Sequence, residues 1–253
     1  MNTRGFLTLF YKELLRFYKV SLQTIMAPVI TALLYLLIFA QVIGQSIEVF
    51  QGVSYASFLI PGLIMMAVIQ NAFANSSSSL IQSKVVGNII FVLMSPLSHL
   101  EFFLAFALAA AVRGLVVGLG VYLVAIIFVD LPMHNVFIIL IFAILCSVTL
   151  GVMGIIAGIW AEKFDQLAGF QNFIIMPMSF LSGVFYSIRS LPEFWQTVSS
   201  FNPFFYMIDG FRYGFFGKSD IHPGISIIIV GIALLLLSLF TMWLLKRGYK
   251  LRD

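Results

Sequence analysis

The chain has 253 residues, of which 61% are hydrophobic and only 9% charged, with a formal net charge of +4. That balance excludes an ordinary soluble domain, whose charged share is about 25%, and reads as a single all-α integral membrane domain. The lone cysteine, Cys146, excludes an internal disulfide and any multi-thiolate metal site.

The first twenty residues are charged and lack a compact apolar core before a small-residue cleavage site, so no cleavable signal peptide is expected. Residues 3–20, "TRGFLTLFYKELLRFYKV", have another pattern. At about 100° per residue, Arg4, Thr8, Lys12, Arg16 and Lys19 share one face, and Phe6, Leu7, Leu9, Phe10, Leu14, Phe17 and Tyr18 the opposite one. This predicts an amphipathic helix in the membrane interface, cations toward headgroups and aromatics in lipid. It serves as an anchor or as a lever on the first span.

Six apolar runs follow, over residues 22–44, 58–76, 102–129, 136–160, 168–187 and 225–245. Each meets the length of about 20 residues needed to cross a bilayer as helix, and none alternates as a barrel strand does. Lys and Arg fall unevenly: ten lie on the side of the two termini and the second and fourth loops, and three on the other. Cations collect in the cytoplasm, so both termini are expected there and the crossing number is even.

After the second span comes "NSSSSLIQSKVVGNIIFVLMSPLSHLE". The predicted cytoplasmic loop 77–98 combines Lys84, Gly87 and Asn88 with an apolar run over residues 89–94 that Ser95 and Pro96 end. It forms either a docking knob or an ordinary loop helix pressed on the bilayer. Gln70, Asn71 and Asn75 make an amide patch on the second span. The third and fourth carry Gly114 and Gly118, then Gly154 and Gly158, at the spacing that lets helix backbones approach. Arg113, inside the third, either lines a water-filled path or reaches the cytoplasmic headgroups.

On the fifth span Gln171, Asn172, Ser179, Ser182, Gly183 and Tyr186 share one face, and Pro177 is placed to kink the helix. Two readings apply: the wall of a translocation path, or interhelical hydrogen bonding in a packed bundle. Two half-length helices are then predicted, over residues 191–201 and 203–216, the first capped by Ser190 and the second by Asn202 with Pro203 at its first position. Neither is long enough to cross, so the pair reads as a re-entrant or interfacial hairpin at the outer face (residues 190–217). Asp209 and Arg212 stand at i, i+3, where they can pair.

Catalytic chemistry is sparse. His99, His134 and His222 lie in separate loops, and "GKS" at residues 217–219 lacks the glycine a phosphate loop needs, with Arg212 in its place. If the protein moves something uphill, its energy must come from another chain.

Several stretches together resemble the permease subunit of ABC-2 type transporters. They are "KELLRF", "PVITALLYLLIF", "FLIPGLIMM", "RGLVVG", "GVFYSIRSLPEFWQ", "FNPFFYMIDGFRYGFFG" and "KRGYKLR". The resemblance implies a six-span subunit of an exporter in a bacterial inner membrane, working as a homodimer with a cytoplasmic ATP-binding cassette ATPase. It implies no cofactor in this chain, ATP and Mg being held by that ATPase, and no nucleic-acid partner. Such permeases handle lipid-linked sugar polymers, hydrophobic drugs and small lipophilic metabolites. By position, ATPase coupling falls on Glu13 and Arg16 of the N-terminal connector and on Lys84, Gly87, Asn88 and Pro96 of the second loop. The path or its gate falls on Asn71, Asn75, Arg113, Gln171, Asn172, Ser179, Ser182, Tyr186, Asp209 and Arg212. One departure stands out: related permeases often carry acidic residues just after Asn88, whereas here Ile89, Ile90 and Phe91 follow. The competing reading is a stand-alone channel or ion-coupled carrier, which the lack of acidic residues within the spans disfavours.

Overall fold

The computed structural model describes residues 3–43, 48–50 and 52–250. The chain opens with α1 (Thr3–Lys19) and α2 (Ser21–Ile43); the last residue of the first expected span, Gly44, lies outside the described residues. A small antiparallel ribbon, β1 (Glu48–Phe50) with β2 (Val53–Ser54), interrupts the otherwise helical chain. Then come α3 (Tyr55–Val85), the short α4 (Ile89–Met94), α5 (His99–Ala125) and α6 (Val136–Trp160).

Local signals start these helices where polar side chains can take the first free amides. The Ser54 hydroxyl accepts from Ser57 N at 3.2 Å to begin α3, and the Asn135 Oδ1 accepts from Ile138 N at 3.2 Å to begin α6. A reciprocal box opens α5: Glu101 N donates to the Ser98 hydroxyl and Ser98 N to the Glu101 carboxylate. The serine run expected in the loop is instead helical, and α3 continues to Val85. Ser77 and Ser78 donate to the carbonyls of Phe73 and Ala74, four residues back, which satisfies their hydroxyls inside the helix.

Buried almost throughout, α3 is the core of the bundle, with α5 and α6 laid along it. Both glycine pairs face it. A Cβ on Gly118 would stand 2.6 Å from Val68 Cγ2, one on Gly158 would stand 2.7 Å from Leu80 Cβ, and one on Gly154 would collide with the Phe73 carbonyl. The spacing therefore brings backbones together within the subunit. By contrast, α2 leaves Leu22, Met26, Ile30, Leu34 and Leu37 exposed.

The expected fifth span, residues 168–187, takes a different form. Helix α7 (Phe164–Phe170) runs into one π turn (Gln171–Ile175) and then α8 (Met176–Phe180), ending at the bend before Gly183. Pro177 has no amide hydrogen to give, and just ahead of it Met176 N reaches back five residues to the Gln171 carbonyl. The expected kink is thus a local widening of the helix. The path from 164 to 180 rises about 26 Å at about 1.5 Å per residue, slightly short of a full hydrocarbon core.

A single 3₁₀ turn (Ile188–Ser190) leads to α9 (Glu193–Ser200), α10 (Pro203–Phe216) and α11 (Pro223–Arg247). Asn202 caps α10 as expected, its Oδ1 accepting from Phe204 N at 3.0 Å, with Pro203 in the first turn. Ser190 does not cap α9; the cap position is Pro192, without a side-chain hydrogen bond. Among the described residues five helices, α2, α3, α5, α6 and α11, are long and apolar enough to cross a membrane. The protein is an all-α membrane protein.

Candidate functional site

At one end of the bundle the tails of α3, α6 and α11 meet α1 and α4. Glu13 of α1 is fully buried and accepts from the Ser79 hydroxyl at 2.8 Å. Its other partners are Lys12 at 3.2 Å and Arg16 at 3.3 Å. Arg16 turns inward, not toward headgroups, because α3 offers it acceptors: the Asn75 carbonyl at 2.5 Å, the Asn75 side-chain oxygen at 3.3 Å and Ser78 at 3.1 Å. The N-terminal helix is thereby clamped to the central one, while Tyr11 and Tyr18 remain outside.

The segment after α3 is held from below and bare on top. Lys84 donates to the carbonyls of Ile159 and Ala161, closing the C-terminal end of α6. Gly87 turns the chain with φ +79°, a conformation that favours glycine. Asn88 occupies the position before α4 but makes no cap hydrogen bond, and Pro96 follows on the exposed side. One face of α4 anchors through buried Ile89 beside Leu9, Leu80 and Phe102. The rest is an exposed apolar knob: Val86, Ile90, Phe91 at 76% and Met94 at 78% exposure. Nearby, the Lys250 ammonium sits 2.5 Å from Glu162, and that hydrogen bond with its charge holds the exposed carboxyl below its usual range.

Of the expected path residues, three gather just inside this end. Arg113 donates to the Asn71 side-chain oxygen at 3.3 Å and faces the Phe17 ring at 5.9 Å. Asn75, one turn along α3, is fully buried. Those on the fifth segment separate. Gln171 is half-buried and Asn172 exposed on the π turn, whereas Ser179 and Ser182 are buried and donate to the carbonyls of Ile175 and Ser179. Tyr186 donates to the Phe180 carbonyl at 3.0 Å. These three hydroxyls are spent on nearby backbone.

At the opposite end Asp209 and Arg212 do not pair with each other. Asp209, fully buried, accepts from Asp220 N and Ile221 N at 2.9 Å each. Arg212, also buried, donates to the Gly183 carbonyl at 2.8 Å with its guanidinium 3.8 Å from the Phe58 ring centre. One group that sequence reasoning missed completes this end. The Asp220 carboxylate accepts from the Ser187 hydroxyl at 2.6 Å and Ile188 N at 3.1 Å, and lies 3.6 Å from Arg189 Nε. A loop aspartate reads as a turn residue, and only its position beneath Asp209 reveals its reach.

No group of three or more potential metal-ligating side chains occurs among the described residues. What the site offers is a clamped, partly bare surface at one end, the buried helix α10 bonded to its loops at the other, and the central helix α3 reaching both.

The sequence pattern of the ABC-2 type transporter family matches residues 4–216. The chain is 37% identical to the inner membrane transport permease YadH of Escherichia coli over 243 residues, covering 96% of this chain and 94% of that protein. It is 30% identical over 131 residues to the capsule polysaccharide export inner-membrane protein BexB of Haemophilus influenzae, about half of each chain (50% and 48%). With nodulation protein J of Rhizobium meliloti it shares 22% identity over 227 residues, 89% of this chain and 87% of that one. The chain belongs to the ABC-2 type transporter family, as one of its membrane permeases.

Proposed function

We propose that this chain is the translocating subunit of an ATP-driven exporter in a bacterial inner membrane, paired with a second copy of itself and with a separate cytoplasmic ATP-binding cassette ATPase that holds ATP and Mg. The observation that carries the reading is the bare apolar knob of α4, anchored through Ile89 on the α1–α5 layer and joined to the end of α3, which Lys84 bonds to the end of α6. A displacement of that knob by a partner acts on α3 and α5, which flank α4 in the chain, and through Lys84 at the end of α3 on α6.

In this reading the segment from α7 to α8 is the sixth crossing, made by a helix of near-bilayer length whose π turn exposes Asn172 and half-exposes Gln171. Both termini then lie in the cytoplasm, in accord with the uneven distribution of lysine and arginine. The hairpin of α9 and α10 covers the outer exit, and the exposed face of α2 meets lipid or the second copy. YadH and BexB, by their names a transport permease and an export protein, support transport outward across an inner membrane.

The test is co-expression and co-purification of the full chain with an ATP-binding cassette ATPase of the same organism, followed by ATP turnover in lipid. The expected result is a stable complex of two copies of each chain whose turnover requires the permease. Flux in vesicles holding the permease alone would instead establish a channel or ion-coupled carrier.

A further inference from the structure

The cluster behind the α1 clamp carries more positive charge and more donors than its own acceptors satisfy. Glu13 is committed to Lys12, Arg16 and Ser79. Among the described residues Arg113 has no carboxylate within salt-bridge distance, and its charged neighbour is Arg16, a like charge. Among the described residues two buried donors of these neighbouring turns have no hydrogen-bond partner: Arg113 Nε and Asn75 Nδ2. The Asn75 assignment is firm on chemical grounds, since Arg16 donates to the other end of that amide and so marks it as the oxygen. Asn71, which receives Arg113, and Asn75 are four residues apart on α3 and therefore share a face. A buried site offering only donors, with uncompensated cationic charge beside it, is completed by an oxyanion.

We propose that Asn75 and Arg113, with Arg16 at the rim, form a binding site for a phosphate-type anion, supplied by the headgroup of an anionic phospholipid or by a phosphate borne on cargo. That the site faces the cytoplasmic leaflet rests on the orientation given above; the anion site itself does not. The anion gives Arg113 the countercharge it lacks and supplies acceptors to both unpartnered donors.

The experiment uses the full-length chain in nanodiscs containing phosphatidylcholine with or without phosphatidylglycerol, and reads bound lipid by native mass spectrometry after detergent release. A second arm follows inorganic pyrophosphate by phosphorus NMR line broadening in phosphatidylcholine discs. Preferential retention of phosphatidylglycerol identifies the headgroup as the source; broadening of pyrophosphate without lipid preference identifies a phosphate carried by other molecules. In either arm Arg113→Gln should weaken binding about tenfold, the scale of one charge-assisted hydrogen bond, and Arg113→Lys should restore most of it. Asn75→Asp separates binding from folding: its carboxylate keeps the acceptor that Arg16 uses and supplies the countercharge itself. It should abolish anion binding while leaving thermal stability equal or higher. Equal retention of both lipids with no pyrophosphate broadening, or binding unchanged in Arg113→Gln and Asn75→Asp, overturns the proposal.

Discussion

The two ends of this bundle use the same kinds of residue in opposite ways. At the α1 end, charged side chains fasten one helix to another and leave apolar side chains bare on α4. At the α10 end, most of that helix's aromatic rings are buried, and Asp209, Arg212 and Asp220 spend their charges on backbone groups of the loops beside it. A bare apolar knob on a rigid base suits a partner that arrives and pushes. A buried helix wired to its loops suits a lid that opens as one piece.

The sharpest way to break this contrast is to charge the knob. Phe91→Asp should lower partner-stimulated ATP turnover by about thirtyfold or more, the scale of an interface hot spot, with the melting temperature of the isolated permease unchanged because the ring is mostly exposed. Next in size is Arg212→Ala at the other end, which removes the donor to Gly183 and the contact with Phe58. A loss of about 3 kcal/mol is expected, seen as a fall of several degrees in thermal unfolding. Glu13→Gln keeps the Ser79 hydrogen bond but discharges the clamp, and should cost about 1 to 2 kcal/mol with a parallel loss of coupled turnover. The smallest effect belongs to Glu162→Gln. Its carboxyl is depressed by Lys250, so the pair contributes above the ordinary carboxylate range and is lost as pH falls through the lowered value. Since the group is exposed, thermal unfolding at neutral pH should barely change.

Much of the contrast was legible in the sequence, where the signals were local. Asn202 with Pro203 set the start of α10, five of the six apolar runs became helices long enough to span, and paired glycines marked the helix contacts. What escaped was decided by partners distant in the chain. Helical periodicity turned Arg16 outward, because it treats a charge as solvent-facing; Asn75 and Ser78, some sixty residues away, provide the acceptors that draw it in. The i, i+3 spacing of Asp209 and Arg212 permitted a pair, but free amides at Asp220 and Ile221 took the carboxylate and the Gly183 carbonyl took the guanidinium. The serine run read as loop because serine disfavours helices in water, and that preference fades where each hydroxyl returns to its own backbone.

The most direct test charges each end in turn and measures association with the ATPase. Phe91 on α4 and Phe201 at the end of α9 are both exposed rings, at 76% and 84%, on opposite ends of the molecule. Phe91→Asp should abolish co-purification of the ATPase, and Phe201→Asp should leave it intact. Retention of the ATPase by the Phe91 variant, or its loss from the Phe201 variant alone, would contradict the proposal that α4 is the surface through which an ATPase drives the permease.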